Sequence, residues 1–208
     1  MGSSKIESLL RAANSSDRND TSINLAKRVF LEESEASAFF QYKRSALFQI
    51  REWKKNSSVT DYDLFDEAGK LANGDTISIG KFIRIALYGS GKYDWVRVME
   101  IFDEQSETVL VITPSHDPTK ESGDSSISHF FSPEAVNNFC IQLNDKTVAF
   151  YVIGLDEHQN TKFTDGLIET ARNAAVANIG YYSGLQKGVW KEFCIKFLEA
   201  DDEKERAA

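Results

Sequence analysis

Residues 139–153 read Phe139-Cys140-Ile141-Gln142-Leu143-Asn144-Asp145-Lys146-Thr147-Val148-Ala149-Phe150-Tyr151-Val152-Ile153. Phe139, Ile141 and Leu143 alternate, Asn144-Asp145 reads as a two-residue turn, and Thr147 to Ile153 is a β-branched and aromatic run of matching length. Alternation on both sides of an Asn-Asp pair predicts an antiparallel hairpin. Upstream, Ile77 to Tyr88 alternates through Ile83, Ile85 and Leu87, Tyr93 to Phe102 is rich in aromatic and β-branched residues, and Thr108 to Thr113 is a short apolar run. Gly89-Ser90-Gly91-Lys92 and Asp103 to Glu107 connect them. Connections this short force antiparallel neighbours. Five or six such strands between residues 75 and 156 predict a strongly bent sheet or small barrel.

The flanks read as helical. Lys5 to Ala13 is a short candidate helix, and Asn14 to Ser22 a polar loop. A helical pattern then runs to about Lys55, with a possible break near Glu32–Ser37. It is strongest over Ser37–Lys55, where Phe39, Tyr42, Ala46, Ile50 and Trp53 share one face. A further helix is expected from Ser58 or Thr60 to Asn73-Gly74. Ser132-Pro133-Glu134 reads as the cap and first turn of a short helix. After a cap at Thr164, residues 163–199 read as two helices broken near Ser183-Gly184, because Gly180, Gly184 and Gly188 each weaken a helix by ~1 kcal/mol. The expected class is α+β: an antiparallel, strongly twisted sheet or small β-barrel flanked by N- and C-terminal helices. The expected division is 1–73 helical, 74–199 β-sheet or barrel with C-terminal helices, and 200–208 a charged tail.

Composition excludes several classes. The 208 residues are 41% hydrophobic and 27% charged, which supports a packed core. No apolar run approaches the ~18 residues of a membrane span, so no membrane partner is expected. No charged-then-apolar leader follows Met1, and a cytoplasmic address is expected. Three Asn-x-Ser/Thr triplets therefore read as coincidental. The net charge is −8, and residues 74–156 carry 6 basic and 12 acidic side chains. Such a field repels phosphates, so nucleic acid is not expected as a partner.

Motifs are few. Gly89-Ser90-Gly91-Lys92 lacks the upstream Gly and following Ser or Thr of a phosphate loop. Cys140 and Cys194 sit among apolar neighbours and read as small buried hydrophobes. No cofactor and no metal site is implied. Two surfaces stand out. Phe40, Arg44, Phe48, Arg51 and Lys55 form a mixed aromatic-cationic stripe on the Ser37–Lys55 helix, suited to a protein partner of acidic character. The long polar loop from Pro114 to Ser128 is a second candidate. The leading expectation is thus a non-enzymatic interaction module. The alternatives are a small hydrolase or lyase gathering His116, His129 and His158 beside Trp95, and a ligand cup lined by Trp95, Phe150 and Tyr151.

Overall fold

A computed structural model describes residues 4–15, 20–87, 93–120, 126–160 and 179–199, with the side chains of the last helix described from Gly188 onward. The core is one seven-stranded antiparallel sheet, bent into a half-barrel. Its strands are β1 (Ser22–Val29), β2 (Thr60–Phe65), β3 (Phe82–Leu87), β4 (Tyr93–Asp103), β5 (Glu107–Pro114), β6 (Val136–Asn144) and β7 (Thr147–Leu155). The order is β1-β7-β6-β5-β4-β3-β2. The helices are α1 (Lys5–Ala13), α2 (Glu33–Leu47), α3 (Ile50–Trp53) and α4 (Ile179–Leu198), with a 3-10 turn at Lys54–Asn56.

The predicted hairpin is β6–β7, with Asn144 opposite Thr147. The turn is therefore Asp145-Lys146, one residue later than read, and Asp145 takes the left-handed conformation that Asp tolerates. The five strands expected between residues 75 and 156 are all present, although β3 begins only at Phe82.

Two flanking segments read as helical are strands. β1 pairs with β7, and β2 pairs with β3. In β2 the alternation Thr60-Asp61-Tyr62-Asp63-Leu64 sends Thr60, Tyr62 and Leu64 inward, a period of two that the acidic residues had suggested was a helical first turn. Residues 1–73 thus contribute both edges of the sheet and are continuous with it. The Ser37–Lys55 helix is also two pieces: α2 ends at Leu47, and Phe48-Gln49 turns the chain before α3, with Ile77 N donating to Phe48 O. Ser132–Ala135 is a turn, not a helix. α4 runs unbroken through Gly184 and Gly188. Its apolar face supplies the missing stability, since Val189, Trp190, Phe193, Cys194 and Phe197 are all buried. The Gly89–Lys92 loop, Thr164 and the 200–208 tail lie outside the described residues.

Each sheet face has its own cover. On the concave face Leu110, Phe139, Ile141, Phe150 and Val152 pack against Trp53 from α3 and against α4. On the convex face Val109, Val111, Tyr151 and Ile153 pack against Ile6 and Ala13 of α1. Phe65, Phe82 and Trp95 form a separate convex cluster at the other end of the sheet.

Candidate functional site

The concave face is best read in rows, because residues opposed in an antiparallel register share a face. The lowest complete row is Ala26, Phe150, Ile141 and Thr108. Above it lie Asn24, Val152, Phe139 and Leu110, and above those Ser22, Gly154, Asn137 and Ile112. α4 descends across these rows. Trp190 stands perpendicular to Phe139 with ring centroids 5.1 Å apart, and Phe197 lies 4.4 Å from Phe150. Burial pushes the Cys194 thiol up to about 12, opposed by a hydrogen bond with the Val152 backbone, which places the thiol beside the middle row.

The lower rows are filled with aromatic rings. Trp53 packs 4.6 Å from Phe139 and 5.4 Å from Phe193, and its indole N–H donates to Leu47 O at 2.9 Å. The upper rows are different. Ser22, Asn24 and Asn137 are buried polar residues on the concave face. Asn137 Nδ2 donates to Glu157 Oε1 at 3.0 Å, and that carboxylate fills the space a Cβ on Gly154 would take. Among the described residues, Asn24 Nδ2 and Trp190 Nε1 are buried with no hydrogen-bond partner. A buried amide or indole N–H without an acceptor costs roughly 1–3 kcal/mol.

β1 explains how the polar end arises. Its alternation is inverted: Ser22 and Asn24 point in, while Ile23 and Leu25 are each 38% exposed on the outside. A strand serving packing alone would carry the opposite phase. Sequence reasoning missed Ser22, Asn24, Asn137 and Glu157, and placed Trp190 only in an apolar stripe. The available signal was Ser-Ile-Asn-Leu, whose period of two became informative only once the inward side was known.

The residues singled out from sequence are dispersed. Phe40 is fully buried in the core. Arg44 is committed to Asp103 through two bonds of 2.7 Å, Phe48 is half-buried at the turn after α2, and Arg51 and Lys55 are exposed beyond it. With the helix broken after Leu47 and Phe40 in the core, the five do not form one exposed stripe. Trp95 and Tyr151 lie on the convex side and Phe150 on the concave side, so those three do not line one cavity.

The histidines are separate too. His116 is half-buried with its ring 5.5 Å from Phe82. His158 Nδ1 meets Asp20 Oδ2 at 2.8 Å in an exposed pair. His129 is buried, and its Nδ1 accepts from Phe131 N at 2.9 Å, which leaves the proton on Nε2. Burial pushes the His129 pKa down and that of the facing Asp94 up, each opposed by the other's charge. Among the described residues no three metal-ligating side chains cluster, and no helix is long and apolar enough to cross a membrane.

A surface groove of about 460 Å³ lies between α2, the 3-10 turn and the end of α4, and includes Tyr42, Lys43, Lys55, Lys196 and Glu199. Its lysines are paired: Lys43 with Glu199 at 2.9 Å, and Lys55 with Glu52 and Lys196 with Glu192 at 2.7 Å each. Phe197 belongs both to this groove and to the aromatic core.

No protein-family model matches the chain, and no curated protein matches its sequence. Solved structures do match in shape. Hypothetical protein jhp0584 from Helicobacter pylori aligns with a TM-score of 0.54 at 6% identity, over 91% of this chain and 92% of that one. Protein MLL2253 from Mesorhizobium loti gives 0.43 at 10% identity, over 86% and 95%. Ara h 8.0201 gives 0.41 at 10% identity, over 86% and 99%. At these identities the likeness to jhp0584 shows the fold alone.

Proposed function

We propose that this chain is a small-molecule binding protein whose ligand sits between the upper rows of the concave face and α4. The observation that carries this reading is the polar band of Ser22, Asn24 and Asn137, buried toward one end of a mostly apolar concave face. Burying polar side chains on a core-facing surface is unfavourable unless they acquire partners. A ligand supplies those partners, and the rings below supply an apolar floor. Both cysteine thiols are pushed up by burial and inert as thiolates. The proposed role is binding.

The experiment is a titration with the neutral apolar dye Nile red, exciting tryptophan and reading energy transfer. Trp53 and Trp190 stand in the proposed wall. A saturable one-to-one signal is expected, competed by added apolar ligands. A signal that rises linearly without saturation overturns the reading.

A further inference from the structure

Among the described residues, the two unpartnered groups in the upper cup are both donors: the Asn24 side-chain amide N–H₂ and the Trp190 indole N–H. Asn24 is 9% exposed and Trp190 4%, so water does not satisfy either one freely. Both adjoin the same row. Asn24 lies opposite Val152 on β7, and Val152 lies opposite Phe139 on β6, the ring against which Trp190 stands. The acceptor side of the neighbourhood is already supplied, because Glu157 brings a carboxylate over Gly154 and receives the Asn137 amide.

From this juxtaposition we infer that the cup selects neutral apolar molecules bearing a carbonyl, whose oxygen accepts from Asn24 Nδ2, Trp190 Nε1 or both. A ligand with only a donor group would leave both N–H groups unsatisfied. An anionic head would bring a second negative charge near the half-buried Glu157 carboxylate. A carbonyl oxygen accepts from such a donor and carries no charge. This inference rests on the binding reading above and adds the class of ligand.

The test compares two neutral fluorescent probes on the full chain: propionyl-dimethylaminonaphthalene, which carries a ketone, and dimethylaminonaphthalene, which lacks it. The ketone is expected to bind about tenfold more tightly, the effect of one good buried hydrogen bond. Asn24→Leu and Trp190→Phe are each expected to weaken the ketone several-fold more than they weaken the ketone-free probe. Equal affinities of the two probes for the wild-type chain overturn the carbonyl assignment while the cup itself stands. Saturable binding of neither probe overturns both. The wild-type comparison decides the matter even where a variant fails to fold.

Discussion

The Glu107 carboxylate at the start of β5 accepts a hydrogen bond from the Lys5 backbone N–H at 2.8 Å and another from the Ser4 hydroxyl. A strand residue thus caps a helix 102 positions away in sequence. Ser4 Oγ in turn accepts from Glu7 N at 3.2 Å, the ordinary N-cap bond. The negative charge sits where the positive end of the α1 dipole points. Glu107→Ala is expected to cost roughly 1–3 kcal/mol, since it removes two charge-assisted hydrogen bonds from half-buried donors. Hydrogen exchange should accelerate in α1 while β6 and β7 stay protected. Unchanged exchange across Ser8–Leu10 would show that apolar packing alone holds the helix.

Arg44 and Asp103 form a two-pronged bond, Nε to Oδ1 and Nη2 to Oδ2, that ties α2 to the end of β4. The Arg44 bond holds the Asp103 carboxyl below its ordinary range, with burial opposing and Thr108 assisting. A depressed folded pKa gives stability that is present above the ordinary carboxylate value and lost as pH falls through the folded one. Arg44→Lys keeps the charge and loses the fork. The pair is partly exposed, so the expected loss at neutral pH is only about 0.5–1 kcal/mol. The acid side of a denaturation-against-pH curve should flatten for Arg44→Met; an unaltered slope there argues against the assignment.

How far the chain could be read depended on where each residue's partner lay. The β6–β7 hairpin was legible because its two halves are adjacent and Asn144 to Thr147 closes locally. β1 was not, because its partner β7 lies more than a hundred residues downstream and its inward side carries Ser22 and Asn24. Those same inverted residues form the candidate site, the kind of place where a break in local consistency is expected. The continuous stripe from Phe40 to Lys55 failed for a different reason. Helical periodicity does not register a break when Phe48 and Ile50 resume an apolar pattern on the far side. Trp190 looked like core by spacing, and only three-dimensional burial distinguishes its unsatisfied indole from that of Trp53, which finds Leu47 O.

Buried His129 makes a second pH-dependent contribution. Burial lowers its pKa, with Asp94 partly offsetting. A base with a depressed folded pKa is protonated more readily in the unfolded chain. Its contribution is therefore complete above about pH 6.5 and diminishes as pH drops below that value. His129→Gln retains an acceptor for Phe131 N and removes the titration. Thermal unfolding followed between pH 7.5 and 5 should lose part of its slope in this variant. An identical slope would assign the acid sensitivity to other groups.

Gly69 and Gly74 separate backbone strain from steric exclusion. Both have positive φ, 73° and 110°. A Cβ on Gly74 would meet open space, whereas one on Gly69 would lie 2.0 Å from the Pro118 carbonyl oxygen. Gly69 closes a turn in which Asp66 Oδ1 accepts from Ala68 N and Lys70 N, and that turn abuts the loop after β5. Gly74→Ala should cost the backbone penalty alone, about 1–3 kcal/mol. Gly69→Ala carries a backbone penalty as well and must also push two main chains apart, which no side-chain rotation relieves. Chemical denaturation should therefore rank Gly69→Ala well below Gly74→Ala, by at least another 1 kcal/mol on the overpacking scale. Equal losses in the two variants would mean that the contact between the Asp66–Lys70 turn and Pro118 yields in solution.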